Sequence, residues 1–265
     1  MDEEEQVDIS PARFGKAIRK GFSEVYDRFG LVIAASLIWA VIIAVPLGLG
    51  WELWRRNPSK PWIVLIGMIV AVFIGSPVLA GVFRMAYKVV YHDDPGLGDI
   101  LTGARELFLA SLSLALIDIV VISMLVIDAM FFMGMFGPLK GKENLVFFLA
   151  GILFIYLLVA WLMTVLYQLP VLASQKPMCQ REGAAAAIRK SLILAAHNPG
   201  FTIGFFVVIL GFGILCAVSV FGMLILFAGT VSMLLTHALR ELYIRYKVVE
   251  EAPETVEDKG WKLKE

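Results

Sequence analysis

Long apolar stretches separated by short polar segments dominate this chain of 265 residues. The clearest stretch, residues 62–83, runs for 22 residues without a charged side chain. Such a stretch predicts a membrane-spanning helix, because about 20 residues at 1.5 Å each cross the ~30 Å hydrocarbon core of a bilayer. The pattern predicts an all-α polytopic membrane bundle with six spans, at about residues 30–50, 62–83, 107–132, 145–173, 200–219 and 220–239.

The last two spans come from one uncharged stretch, residues 200–236. As a single helix these 37 residues would measure about 55 Å, far more than the ~30 Å that they must cross. Two short spans with a turn near residues 219–222 fit better. We therefore expect one membrane domain at residues 10–249, between charged tails at 1–9 and 250–265.

Basic residues predict the orientation. With both termini in the cytoplasm, 18 of the 23 Lys and Arg residues lie on cytoplasmic segments and five on outer loops. Because positive charges concentrate on the cytoplasmic side, we expect a multi-pass protein of the bacterial inner (plasma) membrane with both ends inside. The acidic start does not have the pattern of a cleavable signal peptide, so we expect none.

Composition supports the membrane interpretation. Apolar residues make up 59% of the chain and charged residues 17%, against about 45–50% and 25% in soluble proteins. The net charge is zero and the basic residues are scattered, which argues against nucleic-acid binding.

After Ser10 and Pro11, apolar and basic residues segregate to opposite faces of a predicted helix. This helix could lie in the membrane interface and contact anionic headgroups, or pack on the cytoplasmic ends of the bundle. The sequence Ala-Ile-Arg-Lys occurs at residues 17–20 and 187–190, and Pro-Val-Leu-Ala occurs at 77–80 and 170–173. With Arg105 between the two copies, these matches suggest three units of about 85 residues, each a surface helix followed by a hairpin of two spans.

Short motifs also carry a resemblance to known families. They lie at residues 75–81 (Gly-Ser-Pro-Val-Leu-Ala-Gly), 95–103, 107–108, 169–171, 187–191 and 198–199. On these motifs the chain resembles bacterial six-helix membrane families, among them the YesL-like family and the membrane domains fused to glycerophosphodiester phosphodiesterases. The resemblance implies a six-span bundle without a soluble catalytic domain, and it transfers no catalytic residue.

Two carboxylates, Asp118 and Asp128, fall inside the third predicted span. Charged groups at membrane depth are costly, so they are functional candidates by default. Ten residues separate the two, which places them ~15 Å apart along the axis and excludes a paired acid–base couple. One hypothesis is a proton or cation path along this face. The alternative places Asp128 at the outer interface, and either pairs Asp118 with a residue such as His237 or Arg84 or leaves its carboxyl group protonated. The other polar candidates within the spans are Ser111, Ser113, Ser123 and His237.

A second set of candidates lies at the predicted inner interface: Arg84, Lys88, His92, Asp93, Asp94, Asp99, Arg105, Arg189, Lys190 and Arg240. We expect Arg84, Lys88 and Arg240 to extend toward the inner phosphates, and His237 to do the same unless it meets Asp118. Residues 92–94 could form a metal site, but the Pro-Gly that follows favours a turn, after which Asp99 would cap a helix. Two separate cysteines and the lack of catalytic motifs predict no metal and no cofactor.

These features favour a non-enzymatic membrane protein. It would be a transport or permeation module, or an accessory subunit with a membrane-protein partner. The alternatives are a membrane-embedded enzyme acting on lipid through Asp118 or residues 92–94, and a lipid-sensing structural protein. A transporter predicts a polar cavity lined by Asp118 and the three serines, and an enzyme predicts residues 92–94 converging on a cleft. A sensor predicts neither feature.

Overall fold

The computed structural model describes residues 12–91, 94–135, 145–174, 183–246 and 248. Every regular element in these residues is a helix. The helices are α1 (Phe14–Asp27), α2 (Phe29–Arg56), α3 (Trp62–Val90), α4 (Gly98–Glu106), α5 (Phe108–Phe132), α6 (Leu145–Ser174), α7 (Ala184–His197), α8 (Pro199–Val218), α9 (Val220–Ile225) and α10 (Phe227–Arg245).

Five of these helices, α2, α3, α5, α6 and α8, are long and apolar enough to cross a membrane. Each has 20 to 30 residues, or about 30–45 Å of helix, which matches or exceeds the hydrocarbon thickness. The protein is therefore membrane-embedded and multi-pass, as the apolar pattern predicts.

The predicted sixth span, residues 220–239, is not one continuous helix. It covers α9 and the first part of α10, and the break falls at Leu226. The Ser219 hydroxyl begins α9 by accepting a hydrogen bond from the Gly222 N–H at 3.3 Å. Since α10 is not among the five apolar helices, the count of six spans stays a prediction.

Helix α10 occupies the centre of the bundle, where it packs mainly on α1, α2 and α3. Thirteen of its 19 residues are buried, including Ser232, Thr236 and His237. A helix that is surrounded by protein does not need a lipid-compatible surface, so it can carry polar residues that a lipid-facing span would exclude. This burial explains why α10 can be less apolar than the long helices α2 and α3 that pack on it.

The buried core lies at one end of the bundle, where the short helices α1, α4 and α7 pack; we call this the short-helix end. A glycine permits the closest contact there, because a Cβ on Gly81 of α3 would overlap the carbonyl oxygen of Ile100 in α4. Toward the opposite end, apolar side chains such as Ile69, Ile119 and Leu153 are exposed. Exposed apolar side chains on long helices are the surface expected to face lipid.

Helix α1 is part of this core. Its residues Ala17, Gly21 and Val25 are buried, and Gly21 lies directly against Leu234 of α10. The sequence left open whether α1 lies in the membrane interface or packs on the end of the bundle. The face of α1 that carries these three residues packs on the bundle. Phe22 and Tyr26 of α1 remain exposed. Ser10 and Pro11, predicted to begin the helix, lie outside the described residues.

The order of elements follows the predicted repeat: α1 precedes α2 and α3, α4 precedes α5 and α6, and α7 precedes α8 and the α9–α10 pair. The third unit differs from the others because its second arm is broken at Leu226. Similar order does not establish superposable units, so the repeat stays a prediction.

Candidate functional site

Asp118 is held between the helices of the α5–α6 hairpin. It lies ten residues after the start of α5, or ~15 Å along the helix. The Trp161 indole Nε1 on α6 donates a hydrogen bond to Asp118 Oδ1 at 3.1 Å. The hairpin can close because Gly151 of α6 lets Met133, just beyond α5, approach its backbone. Asp118 is half-buried, so its carboxylate is held by the protein and still accessible.

Gln168 adds a buried amide to this site. Its side chain lies next to the Asp118 carboxyl group, although the two are not in hydrogen-bonding geometry. Gln168 is completely buried, and neither of its polar side-chain atoms has a hydrogen-bond partner within the described chain. Its spacing from Trp161 and Thr164 places all three on one face of α6. Because an unpaired buried amide costs about 1–3 kcal/mol, Gln168 is a candidate for contact with a ligand.

We call Asp118, Trp161, Thr164 and Gln168 the α5–α6 polar site. Its only carboxylate is Asp118, so acid–base chemistry with two carboxylates is not available there. The Trp161 indole is a donor and the Thr164 hydroxyl is committed as a donor to the Trp161 carbonyl at 2.7 Å. The remaining oxygen atoms are acceptors, which suits a positively charged ligand.

The predicted partners of Asp118 were wrong. His237 Nε2 lies 2.9 Å from Glu24 Oε2 of α1. Arg84 donates to the Ala173 carbonyl oxygen at 2.7 Å and lies over the Tyr87 ring. Both side chains belong to the short-helix end, whereas Asp118 lies further along the bundle, so neither pairs with it.

The remaining intramembrane candidates do not join the α5–α6 polar site. Ser111 is buried, and its hydroxyl donates to the Phe108 carbonyl at 3.1 Å. Ser113 is exposed and donates to the Leu109 carbonyl at 2.6 Å, and Ser123 is exposed as well. Asp128 is half-buried. Two of the serine hydroxyls therefore bond to carbonyl groups of their own helix, and two of the serines are exposed. The described residues thus provide no polar path that contains all of these candidates.

At the short-helix end, Lys88 and Asp99 form an ion pair, with Nζ 2.6 Å from Oδ1. The Gly96 N–H also donates to Asp99 Oδ2 at 2.8 Å. Partial burial by itself would raise the pKa of Asp99, but the hydrogen bonds from Lys88 and Gly96 outweigh it and hold that pKa below its usual value. Lys88 therefore pairs with Asp99 instead of extending to lipid phosphates, so the predicted extension was wrong.

The predicted capping role of Asp99 was also wrong. Helix α4 begins at Gly98 with Leu97 as its N-cap residue, so Asp99 lies inside the first turn. Of the proposed metal cluster, His92 and Asp93 lie outside the described residues, and Asp94 is exposed. The described part of the chain contains no group of three His, Cys, Asp or Glu side chains that could hold a metal ion.

The other basic candidates divide into two groups. Arg105, Arg189 and Lys190 are exposed. Arg240 is half-buried, and its guanidinium lies 5.9 Å from the centre of the Tyr91 ring. Burial raises the pKa of Tyr91 to about 12, so the phenol stays neutral and offers its ring face to the cation. Arg240 therefore contributes to packing instead of extending freely to phosphates.

No protein-family model matches the chain, and neither does any curated protein or solved structure. A functional assignment therefore depends on the chemistry of the side chains described above.

Proposed function

We propose that this protein is a six-span integral membrane protein of the plasma membrane, with both termini in the cytoplasm. It would act as a non-enzymatic transport or permeation module, alone or as an accessory subunit of a membrane complex. The course of α9 and α10 supports the sixth crossing. Arg245 at the end of α10 contacts Asn198 at the start of α8, and Ser219 lies at the other end of α8. The α9–α10 pair therefore returns along the length of α8.

The observation that supports the transport proposal most directly is the position of the Asp118 carboxylate between two membrane-length helices. A carboxylate at this depth destabilises a simple membrane helix by about 2.5–3.5 kcal/mol even on the lenient insertion scale. Here it receives one indole hydrogen bond from Trp161 and has a buried amide, Gln168, beside it. An acidic side chain that is retained between two helices and is still half-exposed is typical of groups that exchange protons or cations during transport.

Purified protein in proteoliposomes tests this proposal. A potassium diffusion potential would drive cation or proton entry, and an internal pH dye or radioactive sodium would report it. We expect wild-type vesicles to exceed protein-free vesicles, and Asp118→Asn to lower the rate roughly tenfold or more, as expected when the barrier rises by over 1.36 kcal/mol.

Asp128→Asn is the matched control, since it makes the same chemical change on the same helix, and its rate should stay close to wild type. Wild-type vesicles no faster than protein-free vesicles would exclude transport by this chain alone. A fully active Asp118→Asn variant would exclude Asp118 from the path. That second outcome would favour a lipid-sensing role, in which exposed Arg189 and Lys190 on α7 contact anionic headgroups.

A further inference from the structure

We propose that Asp118 and Gln168 form a binding site for one monovalent cation, either a proton or an alkali metal ion, between α5 and α6. This inference builds on the proposed function, because it names the ion that the transport path would handle. Binding to the site does not require flux, so the two proposals can fail separately.

The oxygen atoms at the site match those that hard cations prefer. Asp118 Oδ1 accepts a hydrogen bond from the Trp161 indole at 3.1 Å. The other carboxylate oxygen, Oδ2, is therefore left to bind a ligand. Gln168 Oε1 is buried without a partner in the described chain. The Thr164 hydroxyl already donates its proton to the Trp161 carbonyl, so its lone pairs remain free to accept or coordinate.

The charge of the site selects a monovalent ligand. Asp118 is the only carboxylate among the four side chains of the site, and its described hydrogen bond comes from a neutral indole. One positive charge therefore neutralises the site. A divalent ion would leave an uncompensated charge in a low-dielectric environment, which is strongly unfavourable.

Gln168 can complete either form of the site. An alkali ion would bridge the Asp118 carboxylate and the Gln168 amide oxygen. A proton on Asp118 Oδ2 would convert that oxygen into a donor to the same amide oxygen. In both cases the ligand provides a partner for a buried polar atom that otherwise has none in the described structure.

Tryptophan fluorescence of the full-length protein in detergent tests the inference, because the Trp161 indole is bonded directly to Asp118. The Trp161 signal is the difference between wild type and Trp161→Phe. One arm varies the pH with choline as the only other cation, and the second replaces choline by sodium at constant pH and ionic strength. We expect a saturable change in at least one arm, lost in Asp118→Asn and retained in Asp128→Asn.

The two arms distinguish the two cations. A pH response that sodium does not shift identifies the proton, whereas a sodium response that weakens at low pH identifies an alkali ion. No response in either arm, or the same response in Asp118→Asn as in wild type, overturns the inference. Cation binding at Asp118 without cation flux would contradict the proposed function and leave this inference intact. Cation flux without binding at Asp118 would contradict this inference and leave the proposed function intact.

Gln168→Leu provides the second variant. Leucine fills a similar volume without a polar atom, so the fold is expected to tolerate it or become more stable. Ligand affinity should fall roughly tenfold or more, which corresponds to ~1.4 kcal/mol. Radioactive sodium binding and the pH midpoint of the Trp161 signal measure this loss. Unchanged affinity in Gln168→Leu overturns the role of the amide.

Discussion

At the scale of single residues, several buried hydroxyl groups make their hydrogen bond to a carbonyl just before them in the same chain segment. Thr164, Ser191, Thr202, Ser232 and Thr236 each donate to a carbonyl three or four residues earlier, at 2.7–2.8 Å. This local bonding is the usual solution for Ser and Thr inside helices. A buried amide or carboxylate cannot satisfy all its polar atoms in this way, so Asp118 and Gln168 depend on other elements or on a ligand.

The Lys88–Asp99 pair makes a residue-scale prediction about pH. The pKa of Asp99 is lowered in the folded protein, so its stabilising contribution is present above the unfolded pKa of about 3.9 and is lost as the pH falls through the folded pKa. We expect Asp99→Asn to lower stability near neutral pH by about 1 kcal/mol or less, since the pair is partly exposed. The difference from wild type should vanish in acid.

Thermal unfolding in detergent at a series of pH values measures this effect, with Asp94→Asn as the control because Asp94 is exposed. A gap between wild type and Asp99→Asn that stays constant down to about pH 3 would contradict an ion pair as the source.

At the scale of helices, α1 is tied to α10 by two kinds of contact and to α8 by a third. Gly21 lies against Leu234, where an added Cβ would come 2.8 Å from Cδ2 and 3.3 Å from Cα. Glu24 Oε2 lies 2.9 Å from His237 Nε2. Phe14 meets the Phe205 ring edge to face at 5.1 Å between centroids. Helix α1 is therefore a structural part of the bundle and covers the polar flank of α10.

Substitution of Gly21 tests this docking. Gly21→Leu places a large side chain where the backbone of α10 is in contact, and overpacking of this kind costs about 1–3 kcal/mol. We expect trypsin to cut at the basic residues of α1 faster in this variant, because proteolysis follows the population of the open form. Gly15→Leu, at a position with open space, should be cut as slowly as wild type. Equal resistance of the two variants would show that α1 does not depend on this contact.

Much of the helical architecture could be predicted from the sequence, because a continuous apolar stretch of membrane length has few alternatives to a helix. The predicted spans at 62–83 and 145–173 match α3 and α6 closely, although α3 continues to Val90. The break at Leu226 was not predicted, because no proline or charge marks it. At this break α9 and α10 both pack against α2 and α8.

Only part of the α5–α6 polar site could be predicted. Asp118 is visible because a carboxylate interrupts an apolar stretch. Trp161 and Gln168 are uncharged and lie inside such a stretch, so hydropathy alone does not distinguish them from lipid-facing residues. Their role follows from the register of the α5–α6 hairpin, which short-range patterns do not contain. A signal was present in the spacing of Trp161, Thr164 and Gln168 on one helical face.

At the scale of the whole molecule, burial is uneven along the membrane helices. The short-helix end contains the buried clusters around Leu172, Leu239 and Met85. The opposite end exposes apolar residues on every long apolar helix, including Leu65, Val120 and Val207. The short-helix end is therefore a packed base from which the long apolar helices extend, with the α5–α6 polar site inside one hairpin.

The most direct test of this account is the sidedness of four positions in intact cells. In a variant without Cys179 and Cys216, single cysteines at Ser23, Ser59, Ser219 and Tyr246 would be exposed to a membrane-impermeant maleimide. Six crossings with both ends inside predict labelling of Ser59→Cys and Ser219→Cys in intact cells, and of Ser23→Cys and Tyr246→Cys only after permeabilisation. Labelling of Ser219→Cys and Tyr246→Cys from the same side would contradict the return crossing by α9 and α10.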